Sequence, residues 1–222
     1  MKPHHKKFLV LIVILLFPSI LYLFLKSGRH HIKTLEIFGP RELNEKGDTI
    51  FHVIPDFEFT NQYGKLISKK DFEGKFFVAD FIFTTCKTIC PKMSEQMANI
   101  QEKVKDMDDV LLISHTVDPE EDSVPVLFDY AKKMGAKEGK WHLVTGDKKR
   151  LYDIARHGYL VTAMEGDGGP DDFIHSEKFL LIDKESRIRG FYDGTDPVEV
   201  KRLTDEIKVL KFEEQIPRKE RR

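Results

Sequence analysis

The spacing of apolar and polar positions changes several times along the chain, and each change marks an expected element. Phe8 to Leu25 is a run of eighteen residues in which only Ser19 and Tyr22 are polar and no side chain is charged. As a helix it would span about 27 Å, enough for a bilayer core, and a membrane helix tolerates its Pro18. Residues 26–52 mix charge with Gly39, Pro40 and Gly47 and keep no period, as a tether would. Pro55 to Thr60 alternates like a strand and turns at Asn61-Gln62-Tyr63-Gly64. Ser68-Lys69-Lys70-Asp71 resembles a capping box ahead of a short helical turn. Phe76 to Phe83, apolar except for Asp80, has the pattern of a central strand covered on both faces. Pro91 to Val104 predicts a helix with proline in its first turn, Val110 to Val117 a strand, and Ser123 to Met134 a helix. Trp141 to Val144 predicts a strand and Lys148 to Arg156 a helix. Phe173–Ile182 and Arg187–Tyr192, joined at Asp183-Lys184-Glu185-Ser186, predict a hairpin, and Pro197 to Leu210 a closing helix.

The order β-α-β-α-β-α-β-β-α implies an α/β domain: a central mixed sheet flanked by helices, thioredoxin-like in plan, with insertions and an N-terminal extension. The expected organisation is a cytoplasmic N-terminus (1–7), a transmembrane anchor (8–25), a tether (26–52), the folded domain (53–212) and a charged tail (213–222). No small-x-small cleavage signal follows the apolar run, which passes into Lys26-Ser27-Gly28-Arg29, so a retained anchor is favoured over a cleaved signal peptide. Lysines 2, 6 and 7 on one side face Lys26, Arg29 and Lys33 on the other, a slight bias toward a cytoplasmic N-terminus. Lys plus Arg number 36 against 37 Asp plus Glu, and this balance gives no reason to expect a nucleic-acid partner.

The two cysteines of the chain sit in Thr84-Thr85-Cys86-Lys87-Thr88-Ile89-Cys90-Pro91, between the buried strand and a helix start. Four residues apart in a helical turn, their Cβ atoms come within roughly 5 to 6 Å, which suits either a shared metal ion or a disulfide. The free N–H groups and positive dipole end of the following helix favour thiolate, the form that both attacks and ligates. Two inert buried thiols, or a structural disulfide closing too small a loop to stabilise much, are the plainer alternatives. Nine histidines could supply a further ligand. His4, His5, His30 and His31 flank the apolar run as solvated residues, and His52, His115, His142 and His157 lie in or beside regular elements where structural histidines are common. His175 differs because it follows the irregular stretch from Glu165 to Asp172 and enters the hairpin.

Asp80-Phe81-Ile82-Phe83-Thr84-Thr85-Cys86-Lys87-Thr88-Ile89-Cys90-Pro91, with Met93 and Met97, resembles the Sco/SenC family of copper chaperones for cytochrome c oxidase assembly. Thr116-Val117-Asp118-Pro119-Glu120-Glu121-Asp122, then Leu127 to Ala131 with Trp141 to Gly146, and Ile174-His175-Ser176 leading to Phe179 to Asp183, resemble the family's further segments in order. The resemblance covers roughly residues 54–210. It implies a thioredoxin fold, an N-terminal anchor and a copper site on Cys86, Cys90 and His175. Lys87 stands where the family usually has proline, and Ile174 where aspartate commonly precedes the histidine. Asp171 and Asp172 are nearby candidates for orienting the imidazole. Asp118 is either a functional residue or one that ends its strand and caps the next helix, and the cap is the favoured reading.

Two thiolates and an imidazole form a soft site suited to Cu(I), and to Cu(II) with an added oxygen ligand, whereas zinc would want a fourth protein ligand. The resemblance thus implies a metallochaperone with the oxidase copper-site subunit as acceptor, an upstream copper donor, and a single-pass location in the bacterial inner membrane with the domain on the periplasmic side. The alternatives are a membrane-anchored thiol-disulfide oxidoreductase that reduces the oxidase cysteines through Cys86 and Cys90, and a redox or copper sensor. Three residues separate the cysteines where thioredoxin has two, no proline adjoins His175, and Ala79 stands where a peroxiredoxin needs proline.

Overall fold

A computed structural model describes residues 14–22, 34–161 and 176–215. The chain divides into two units, residues 1–33 and 34–222. In the first, α1 is helical over its described residues 14–22 and continues through Pro18, with Ile14, Leu15, Leu16 and Phe17 exposed. Among the described residues no helix is long and apolar enough to cross a membrane; the rest of the 8–25 segment lies outside them.

The second unit begins with a two-stranded hairpin, β1 (Arg41–Leu43) against β2 (Thr49–Phe51). A seven-stranded sheet follows, built from β3 (Glu58–Asn61), β4 (Leu66–Ser68), β5 (Phe76–Ile82), β6 (Val110–Thr116), β7 (Trp141–Thr145), β8 (Lys178–Ile182) and β9 (Ile188–Asp193). Their order across the sheet is β4-β3-β7-β6-β5-β8-β9, with β5, β6 and β7 parallel and the remaining pairs antiparallel. The helices are α2 (Ile89–Lys103), α3 (Val124–Met134), α4 (Lys148–Asp153) and α5 (Pro197–Glu213). A 3-10 turn (Lys69–Phe72) opens where the Ser68 N–H donates to the Asp71 carboxylate at 2.8 Å, and a π turn (Ile154–Gly158) extends α4.

Strand alternation divides the core in two. On β5, Phe77, Ala79 and Phe81 face one cluster with Phe57, Phe59, Ile113 and Tyr159, while Phe76, Val78 and Ile82 face another with Met93, Met97, Trp141 and Leu203. Every residue of β5, β6 and β7 is buried, so apolar side chains occur at consecutive positions on both faces instead of alternating strictly.

The described residues refine the expected boundaries and add one element. The 34–52 part of the expected tether joins the compact unit through contacts that no hydrophobic period announces: the Arg189 guanidinium donates to the backbone carbonyls of Leu35 and Glu36, Phe38 bridges Ile188, and the Leu35 and Phe38 side chains pack against the core. Leu66–Ser68 is a strand too short to show alternation. Helix α2 starts at Ile89, ahead of Pro91, which places Cys90 inside its first turn. Of the tail, residues 214–215 are described and form a turn after α5, and 216–222 lie outside.

Arg189 is almost wholly buried between Asp183 (3.0 Å) and Glu213 (2.7 Å), and Glu213 also accepts the Leu35 N–H. Arg189→Ala leaves buried Glu213 without its cation and Asp183 with Arg187 alone at 2.7 Å, and breaking a buried pair in this way typically costs about 3 to 5 kcal/mol. Urea denaturation of the full chain in detergent should show a loss of that size, and a loss below about 1 kcal/mol would mean that water replaces the guanidinium.

Candidate functional site

Strand β5 delivers the cysteine loop to the C-terminal end of the parallel strands, where α/β sheets commonly present their chemistry. After Ile82 the chain leaves the sheet, Cys86 N–H closes a turn onto the Phe83 carbonyl (3.3 Å), and α2 begins with Thr88 as N-cap. The Cys90 N–H, one of the helix donors without an intrahelical acceptor, points at the Cys86 sulfur at 3.5 Å, and the Thr88 hydroxyl lies 3.6 Å from it. Both cysteines are free thiols. Cys86 is partly exposed, whereas Cys90 is buried on the helix face that also buries Met93 and Met97.

Their environments separate the two sulfurs chemically. Burial alone would raise the Cys86 thiol, but hydrogen bonds from Cys90 and Thr88 outweigh it and hold the group down at about 7. Burial pushes Cys90 up to about 12, and negative charge on Cys86 or Asp80 pushes the same way. Near neutral pH, Cys86 is substantially thiolate and Cys90 holds its proton.

Asp80 lies on the same face of β5 as Val78 and Ile82, fully buried, and among the described residues neither carboxyl oxygen has a hydrogen-bond partner of good geometry. Burial raises it to about 7, moderated by its register partner Ser114 on β6, whose hydroxyl also accepts the Trp141 indole N–H at 2.9 Å. The Tyr130 hydroxyl sits 2.8 Å from the Ser94 hydroxyl and is itself pushed up, first by burial. Thus polar groups of β5, β6, α2 and α3 collect beneath Cys90. In the sequence Asp80 showed only as the interruption of an apolar run.

A second acidic residue, at the end of the segment Thr116 to Asp122, has a role that its sequence position does not assign. Fully buried Asp122 accepts the Thr84 N–H (3.2 Å to each oxygen) and the Thr84 and Thr116 hydroxyls, tying the start of the cysteine loop to the end of β6. Asp118, expected to cap α3, has another role: its carbonyl accepts the Asp122 N–H at 2.8 Å, and Ser123 is the N-cap. The signal available in advance was the acidic run Asp118 to Asp122 directly after a strand.

Four histidines can be placed. His52 Nε2 bonds the Gly158 carbonyl (2.7 Å), His142 Nδ1 lies 3.4 Å from Asn61 Nδ2, and His157 is exposed. His115, lowered to about 3 by burial, lies among Phe57, Phe59, Phe81 and Tyr159. All four fit structural or surface roles. His175, Asp171 and Asp172 lie outside the described residues, as do His4, His5, His30 and His31. Among the described residues no group of three or more His, Cys, Asp or Glu side chains could hold a metal ion, so Cys86 and Cys90 are the two expected ligands that the structure brings together. No cis peptide bond occurs among the described residues, so none of them repeats the cis-proline of thioredoxins.

A mixed sheet whose central strand ends in a dithiol at a helix N-terminus defines the chain as a thioredoxin-like dithiol protein. A sequence model of the SCO1/SenC family matches residues 46–210, and the chain belongs to that family. It is 30% identical over 163 residues to the SCO1 protein homolog of Bacillus subtilis, covering 72% of this chain and 84% of that protein. The solved structure of BsSco, described as carrying a disulfide switch and as a member of the Sco family of cytochrome c oxidase assembly proteins, is 30% identical. It superposes with a TM-score of 0.62 over 72% of this chain and 93% of that one. Arabidopsis thaliana ScoI, solved with copper bound, is 28% identical, with a TM-score of 0.57 over 74% and 99%.

Two predictions follow from the site's electrostatics. In the reduced full chain, iodoacetamide should modify Cys86 at least ~100-fold faster than Cys90 at neutral pH, because the thiolate reacts. The Cys86 rate should be half-maximal near pH 7, read by peptide mass spectrometry; equal labelling of both sulfurs would contradict the asymmetry. Asp80 sits at about 7 folded against an ordinary value of 3.8, so the folded state holds this proton to higher pH. Its contribution to stability is full below about pH 4 and is lost as pH rises through about 7. Asp80→Asn cannot ionise, and its stability should fall less than the parent's between about pH 4 and pH 8, by up to a few kcal/mol. Parallel stability curves would mean that Asp80 ionises alike in both states.

Proposed function

We propose that this protein is a membrane-anchored copper metallochaperone that binds copper on Cys86, Cys90 and His175 and delivers it to, or helps mature, the copper site of cytochrome c oxidase. The observation that carries the reading is the dithiol held open at the N-terminus of α2, with one sulfur poised as thiolate and the other buried beneath it. Soft thiolates favour Cu(I), and copper is the metal bound to the related Arabidopsis protein. Topology supports the third ligand. Strand β8 runs antiparallel to β5, so Lys178, at its start, lies at the sheet end where β5 releases the cysteine loop, and His175 is three residues earlier in the chain. The 8–25 run would anchor the domain on the periplasmic side of a bacterial inner membrane, where an upstream donor could load it and the oxidase copper-site subunit could receive its cargo.

Copper transfer on this site is ligand exchange. Cys86, partly exposed, engages the incoming ion first and displaces one ligand of the donor; Cys90 then closes on it from the helix turn, its proton passing to the second donor ligand as that ligand leaves. Oxidation of the pair to a disulfide removes both sulfur ligands, so loading requires the reduced form. The same thiol asymmetry favours one second reading, a thiol-disulfide oxidoreductase in which Cys86 attacks and Cys90 resolves.

The reduced full chain in detergent should bind about one Cu(I), and the oxidised chain none. His175→Ala should keep Cu(I) on two sulfurs, lose at least ~10-fold in Cu(II) affinity and fail to support oxidase maturation in cells. Retained Cu(II) affinity with normal maturation would remove His175 from the site. Turnover of disulfide substrates without stable copper binding would favour the oxidoreductase.

A further inference from the structure

The cysteine loop is held at its first residue by a carboxylate from another part of the chain. Asp122 lies 38 residues from Thr84, and both oxygens sit 3.2 Å from the Thr84 N–H. The Thr84 hydroxyl donates to one oxygen at 2.5 Å, and the Thr116 hydroxyl donates to the other. Each hydroxyl has a single proton and commits it to Asp122. Thr116 Oγ1 in turn accepts the Asp118 N–H at 2.9 Å, and the Asp118 carbonyl accepts the Asp122 N–H, so the carboxylate is fixed from behind. The strand ends it joins are already in register, with Ile82 paired to Thr116 and the Val117 N–H on the Ile82 carbonyl at 2.9 Å. A buried carboxylate is a costly way to join two strand ends that pair without it. What it adds is an acceptor-only group that forces the Thr84 backbone and side chain to point inward, two residues before Cys86.

We propose that Asp122 is a positioning residue that sets how the Cys86–Cys90 pair divides between disulfide and open dithiol. A disulfide tolerates only a narrow range of separations and dihedral angles, so the stability of this small ring depends on how firmly the loop entering it is held. The Asp122 clamp fixes the strand side of the ring, and the first turn of α2 fixes the other. The inference rests on the dithiol of the proposed function but not on copper.

The test is the equilibrium of the full chain in detergent with glutathione, in the absence of metal. One glutathione disulfide takes two electrons and two protons from Cys86 and Cys90; the S–S bond forms in the protein and two glutathione thiols leave. Asp122→Asn puts an amide where two oxygens had accepted three donors, and should lower the equilibrium constant for this step by roughly 10-fold. Thr84→Val removes one donor of the same clamp and should lower it in the same direction. The double variant should fall short of the product of the two singles, because both break one contact set. Constants within about twofold of the parent, in variants whose circular dichroism is native, would overturn the proposal and leave Asp122 a structural residue. Should Asp122→Asn fail to fold, Thr84→Val and Thr116→Val decide by the same criterion. Failure of the chain to bind copper would refute the carrier reading and leave this equilibrium untouched.

Discussion

The hydrogen bond from the Cys90 amide to the Cys86 sulfur joins the geometry of a helix to the chemistry of a thiol. A helix begins with N–H groups that lack partners, and here one of them is satisfied by sulfur. That single contact requires Cys86 to lie in the turn entering α2 and Cys90 to lie within its first turn. The spacing of three intervening residues follows from it, and so does the difference between the sulfurs. The residue ahead of the helix meets solvent and the residue inside it meets the core.

The contact would have little effect if the helix could shift. Met93, Met97 and Ile100 hold α2 against Val78, Ile82 and Phe179, and the whole face is closed to water. Burying this face in turn confines Asp80 and Tyr130 to low-dielectric surroundings below Cys90, where both are driven toward their neutral forms. The packing that fixes the helix therefore also sets the electrostatics of the deeper thiol. The two effects share the same side chains.

Much of this was legible in the sequence because it rests on local periodicity. The continuous run at β5, the dithiol before Pro91 and the alternation of strands with helices led to an α/β sheet with its chemistry at a strand end, and the resemblance of four segments added the family. The rest depends on contacts between residues far apart in the chain. Nothing local to Asp122 says that its partner is Thr84, and nothing near Leu35 indicates that Arg189, 154 residues on, binds its carbonyl. The folded unit therefore starts earlier than hydrophobic patterning suggests, held there by polar groups and by two apolar side chains, Leu35 and Phe38, that make no period. His175 was singled out by its place in the chain and by the resemblance, and it lies outside the described residues.

The Arg189 network sits at the end of the sheet where β5 begins, since Phe77 pairs with Ile182 and Ile182 with Ile188. The cysteine loop leaves from the other end, about 20 Å away along a seven-residue strand. The compact unit begins beside Leu35 and Glu36, and the guanidinium with its two carboxylates fastens that first stretch. The fastening of the unit's first residues and its reactive sulfurs thus occupy opposite poles of one sheet. A change in that fastening could reach the sulfurs only through the length of β5, a strand with every residue buried.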